Sequence, residues 1–179
     1  KESTAETYNM ISVDGDTSTN DMVAILANGK AGNKLIDSEG SDYFAFCQAL
    51  KTINTELAQA IVRDGEGATK FLEVQVKHAD SVAEARKLAR SIVSSSLVKT
   101  AFFGEDANWG RIICAMGYSG VQFKPETVSI AIESAGGKLD LMQEGEPVVV
   151  NEILGKAVLA ENDIVIHIDM KAGLSQATA

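Results

Sequence analysis

Apolar and polar residues alternate along Leu72-Glu73-Val74-Gln75-Val76-Lys77, the period of a strand with one buried face, which predicts a half-buried strand within residues 68–77. The same period marks residues 128–133 and 163–170, with Ile164, Ile166 and Ile168 on one face. Gly136-Gly137 suits a hairpin turn between the first of these and a returning strand at 138–142. Tyr8 to Val13 alternates and carries β-branched residues, predicting a first strand that ends at the Asp14-Gly15-Asp16 turn. The apolar run Met22-Val23-Ala24-Ile25-Leu26-Ala27, closed by Asn28-Gly29, reads as a buried strand, and residues 29–40 as a surface loop.

Helical spacing takes over from Ser41. Phe46, Leu50, Ile53, Leu57, Ala60 and Ile61 recur on one face, Ser41 or Asp42 caps the start, and Gly65 lies just past the end. Ser81 with Glu84 forms a capping box, and Val82, Ala85, Leu88, Ala89, Ile92 and Val93 give the next helix its stripe. A short helix begins at Asn108, turns Ile112, Ile113, Ala115 and Met116 inward, and stops at Gly117. Helices and strands thus mix without the regular alternation of a doubly wound sheet. The expected architecture is α+β, with layered helices and mostly antiparallel sheets in a single domain over 1–179.

Composition narrows the classes. Of 179 residues 45% are hydrophobic, enough for a packed core without disulfides or a structural metal. A formal charge of −9, with no basic block, argues against a nucleic-acid partner. No apolar run approaches the length needed to cross a bilayer, and the first ten residues lack a signal peptide's apolar stretch, so a cytoplasmic setting is expected, with no membrane contact. His78 and His167 stand far apart and belong to no metal-ligand motif; no metal is expected. Cys47 and Cys114 are expected to be buried structural thiols.

Three stretches concentrate chemistry. In Gly65-Glu66-Gly67 a carboxylate sits between two flexible residues at a helix-to-strand junction. It is either aimed into a pocket or simply solvated beyond a helix end. Asp14 to Asp21 is wholly polar apart from glycine; its hydroxyls and carboxylates either bind an amino group or cap one another. Around Asn108-Trp109 two acids, an amide, a guanidinium and the single tryptophan suit a small charged ligand, or a loop anchored by a buried ring. Spacing alone decides none of these.

Three strings carry a resemblance. Val13-Asp14-Gly15-Asp16-Thr17-Ser18-Thr19-Asn20-Asp21, then Glu66-Gly67-Ala68-Thr69-Lys70, then Leu97-Val98-Lys99-Thr100-Ala101 running into Gly104-Glu105-Asp106-Ala107-Asn108-Trp109-Gly110-Arg111, closely resemble the ornithine acetyltransferase family of arginine biosynthesis, of the bifunctional glutamate N-acetyltransferase type. The resemblance implies a self-cleaving N-terminal-nucleophile type fold, with a precursor cut at an Ala-Thr bond into α and β chains. It implies that this chain is the β-chain core, lacking the nucleophilic threonine segment upstream of Lys1 and the C-terminal tail, so that no catalytic residue lies within it and the fragment alone is inactive. The implied reaction moves an acetyl group from N-acetylornithine to glutamate through an acetyl-threonine. There is no cofactor, and acetyl-CoA is a substrate only in a bifunctional enzyme. The implied partner is the α chain, in an α2β2 heterotetramer. Glu66 maps onto the family's contact for the substrate ammonium; Asp14, Asp16, Thr19, Asn20, Asn108 and Trp109 match family strings as supporting or site-wall residues. A self-cleaving aminopeptidase-like hydrolase and a non-catalytic amino-acid-binding domain are the alternatives.

Overall fold

The computed structural model describes residues 1–179 as one six-stranded sheet with helices on one of its faces. The strands are β1 (Phe71–Ala79), β2 (Ser129–Ser134), β3 (Gly137–Gln143), β4 (Glu146–Pro147), β5 (Asp163–Asp169) and β6 (Ser175–Thr178), in the order β4-β3-β2-β5-β1-β6. Only the β1–β5 pair is parallel, so the sheet is mixed and mostly antiparallel, as expected of an α+β chain. Register aligns the apolar positions. Leu72, Val74 and Val76 of β1 face Ile164, Ile166 and Ile168 of β5, and Ile132 and Ile130 of β2 face the last two. A one-residue slip would turn all of them to water.

The helices are α1 (Glu2–Glu6), α2 (Ser41–Arg63), α3 (Val82–Val93), α4 (Ser96–Phe103), α5 (Trp109–Gly117) and α6 (Glu152–Ala160). Against the apolar sheet face lie α3, over β1 and β6, and α6, over β3 and β2. Ala85, Leu88, Ala89 and Ile92 of α3 are buried there, and α5 adds Ile112, Ala115 and Met116. Half of the capping box forms, Ser81 Oγ accepting from Glu84 N at 3.2 Å, while Glu84 Oε2 accepts from the Ser81 hydroxyl at 3.2 Å and not from its backbone amide. The opposite sheet face stays polar. His167 meets Glu133 there at 3.0 Å, and at its edge His78 meets Asp169 at 2.8 Å. No helix is long and apolar enough to cross a membrane.

Several expectations are corrected. Residues 8–13 are not a strand: Tyr8–Met10 form a 3-10 turn behind α1, held when Met10 N donates to Thr7 O at 2.8 Å. Residues 22–27 form no strand either, because no sheet edge lies alongside to pair with them. Leu26 is 97% exposed. The helix from Ser41 forms, but Gly40 stands at its N-cap with no side-chain cap from Ser41 or Asp42, and its apolar stripe is not a core face: Phe46 is 58% and Ile53 53% exposed, while Asn54 and Ala58 are the buried positions. Asn54 holds the chain's first turn, donating to Ser3 Oγ at 2.8 Å. Val82 is exposed at the start of α3, and Cys114 is exposed on α5, with Cys47 only half-buried. Three helices escaped the sequence reading, α1, α4 and α6. The five residues of α1 are too few and too polar to show a stripe, and the apolar content of α4 and α6 is too continuous to show a clean one.

Candidate functional site

The three strings, separated by up to about a hundred positions, meet at one end of the helical layer. Where α2 ends, Gly65 turns back, and Ala68 N donates to Gly65 O at 3.0 Å. Glu66 and Gly67 occupy the centre of that turn, Gly67 with φ 71, the left-handed value a type II turn asks of its third residue. On one side Val13 packs so closely on Gly65 that its Cγ1 lies 2.9 Å from where a Cβ would stand. On the other, Lys70 reaches the end of α6, donating to Leu159 O at 2.6 Å and Glu161 O at 3.2 Å, with Glu105 Oε1 at 4.0 Å. Lys99, on α4, donates to Val13 O at 2.6 Å and Ser12 Oγ at 3.3 Å. Contacts of Gly65, Lys70 and Lys99 therefore join the strings.

The candidate residues differ in how far they are already committed. Asn108 Oδ1 accepts from Arg111 N at 3.0 Å as the cap of α5, and its amide donates to Asp106 Oδ2 at 2.9 Å. Trp109 packs against the core. Both have structural work. In the acidic stretch Asp14 Oδ1 accepts from Asp16 N at 2.8 Å, Asn20 N donates to Ser18 Oγ at 3.0 Å, and Thr19 Oγ1 donates to Asn20 Oδ1 at 2.8 Å. These groups cap one another on an exposed turn. Glu66 is also exposed, and its carboxylate has neither a hydrogen bond nor an ion pair.

Lys99 is the residue that sequence reasoning passed over. It stands inside a quoted string, but nothing in its spacing distinguishes it from a solvated lysine. Burial lowers its pKa below the ordinary lysine value, with the charge of Asp14 opposing that shift. A cleft of about 750 Å³ lies elsewhere, between α2 and the β1–β6 edge. Ser12, Gln59, Val62, Phe71 and Thr178 line it, and none of the seven candidate residues does.

The family model described as "ArgJ family" matches residues 1–179. A protein of Thermotoga neapolitana, named arginine biosynthesis bifunctional protein ArgJ, is 51% identical over 179 residues, all of this chain and 45% of that protein. Its namesake from Symbiobacterium thermophilum is likewise 51% identical, over all of this chain and 44% of that protein. The chain thus spans under half the length of these relatives. A crystal structure of arginine biosynthesis bifunctional protein argJ from Bacillus halodurans superposes with a TM-score of 0.92 at 45% identity, over 99% of this chain and 82% of that one.

Proposed function

The chain belongs to the ArgJ family, and from that premise we propose that it is the β-chain core of an acetyltransferase that moves an acetyl group from N-acetylornithine to glutamate in the cytoplasm. In this reading the nucleophile is a threonine upstream of Lys1. Its hydroxyl attacks the acetyl carbonyl, its own α-amine takes the proton and passes it to the leaving ornithine nitrogen, and the glutamate amine then removes the acetyl group. Donors for the oxyanion come from the α chain. Acetyl-CoA serves as a second donor if the enzyme is bifunctional. No metal takes part.

One observation carries the reading for this chain: Glu66 presents an uncommitted carboxylate on a turn anchored from both sides, the right partner for the ammonium of ornithine. We place Asp14, Asp16, Thr19, Asn20, Asn108 and Trp109 around it as wall and support. The proposed α chain has a surface to meet. Phe44, Phe46, Ile53 and Leu57 on α2 are exposed, as are Ile25 and Leu26, apolar side chains of the kind a partner chain covers. An α2β2 assembly would cover them. The test is Glu66→Gln in the complete two-chain enzyme. A lost charged hydrogen bond raises KM for N-acetylornithine about 10- to 100-fold with little change in kcat. Unchanged KM would remove Glu66 from the site. Release of acetate to water without transfer to glutamate would assign the hydrolase alternative.

A further inference from the structure

Between Asp14 and Glu39 the chain's hydrogen bonds reach no further than two positions along the sequence. Ser12 and Val13 are therefore the last residues held by tertiary hydrogen bonds before that stretch, and Lys99 holds both. The lysine stands on a fixed base. Ser95 Oγ caps α4 by accepting from Val98 N at 3.3 Å, and Val98, Ala101 and Phe102 are buried. Arg111 braces the same turn, with Nη1 donating to Leu97 O and to Thr100 Oγ1, each at 3.1 Å. The side chain of the gripped residue, Val13, closes on Gly65, next to Glu66.

We propose that Lys99 is a positioning residue for Glu66: by gripping the Val13 carbonyl it seats the Val13 side chain on Gly65 and sets the direction in which the Glu66 turn offers its carboxylate to the substrate ammonium. The inference rests on the reading of Glu66 above. Lys99 itself touches no reacting atom. The Lys99 side chain is half-buried and its bond to the Val13 carbonyl is exposed, so the grip rests on the short 2.6 Å contact of an ionised donor. The depressed pKa reports the same environment.

The test uses the complete two-chain enzyme with Lys99→Met, Lys99→Arg, Glu66→Gln and the double variant. Lys99→Met is expected to raise KM for N-acetylornithine about tenfold with kcat little changed, and Lys99→Arg to restore most of the loss. In the Glu66→Gln background Lys99→Met adds no further rise, because the group it positions has gone. Val13→Ala removes the methyls seated on Gly65 without touching the ammonium. It reproduces the KM effect and keeps the inference testable if Lys99→Met does not fold. Should Glu66→Gln raise KM while both Lys99→Met and Val13→Ala leave it unchanged, the positioning role is refuted and the Glu66 reading stands. Independent, multiplying effects of the two substitutions refute it equally. An unchanged KM in Glu66→Gln removes the Glu66 reading, and this inference with it.

Discussion

Lys70 closes the string that begins at Glu66, and the geometry gives it a mechanical task. The chain leaves α6 at Glu161 in an extended conformation (φ −71°, ψ 151°), with no backbone amide folding back to the last carbonyls. Those carbonyls need partners. Lys70 Nζ supplies them at 2.6 Å and 3.2 Å, its side chain only 11% exposed, and places a positive charge at the negative end of the helix. Lys70→Met keeps the stem and removes the donor, leaving the carbonyl of buried Leu159 without its bond. Charged hydrogen bonds contribute about 1.5–3 kcal/mol each, and two made by one ammonium do not add in full, so the expected loss is about 2–4 kcal/mol. Urea unfolding followed through the fluorescence of Trp109, which packs on the core, measures it. Glu105 is exposed and 4.0 Å away, so Glu105→Gln should cost well under about 1 kcal/mol. A loss below about 1 kcal/mol for Lys70→Met, or a Glu105→Gln effect as large, would refute the capping role.

Gly136→Ala would set a Cβ 2.1 Å from Ala157 O, where the turn between β2 and β3 meets α6 backbone to backbone; the helix must move, and a loss of at least about 1–3 kcal/mol is expected by denaturant unfolding. A neutral result would show that the turn and helix shift freely. Lys99 yields a prediction in pH. Its folded-state pKa lies below its unfolded value, so the folded chain binds fewer protons between the two, and stability rises as pH climbs through the folded pKa toward about 10.4. Lys99→Met lacks this gain. The wild-type chain should therefore gain stability relative to Lys99→Met as pH rises through that window, read from urea midpoints, and a constant or shrinking difference would contradict the burial.

The helices and strands that bury one face of their own were legible in the residue pattern. β1, β2, β3, β5, α3 and α5 all stand within a few positions of where period and caps put them, because each carries its core side at a regular interval and its terminal signal in the adjacent residue. The misreadings share a different cause. Residues 22–27 have a strand's composition without a neighbour to pair with, and the stripe of α2 is a true helical stripe that finds no core in this chain. Pattern records what a segment is able to bury. It does not record whether a surface is there to receive it.

The site divides along the same line. By itself the amino-acid order determined the α+β class, the family and the residues worth testing, since short-range propensities and the three strings are local properties of the chain. Tertiary structure alone decided which of those residues are free. It committed Trp109 to packing and Lys70 to the end of α6, left the Glu66 carboxylate unpartnered, and brought Lys99 to Val13 across 86 positions. The reason is physical: a hydrogen bond or a close approach depends on distance in space, and the fold sets that distance where separation along the chain does not.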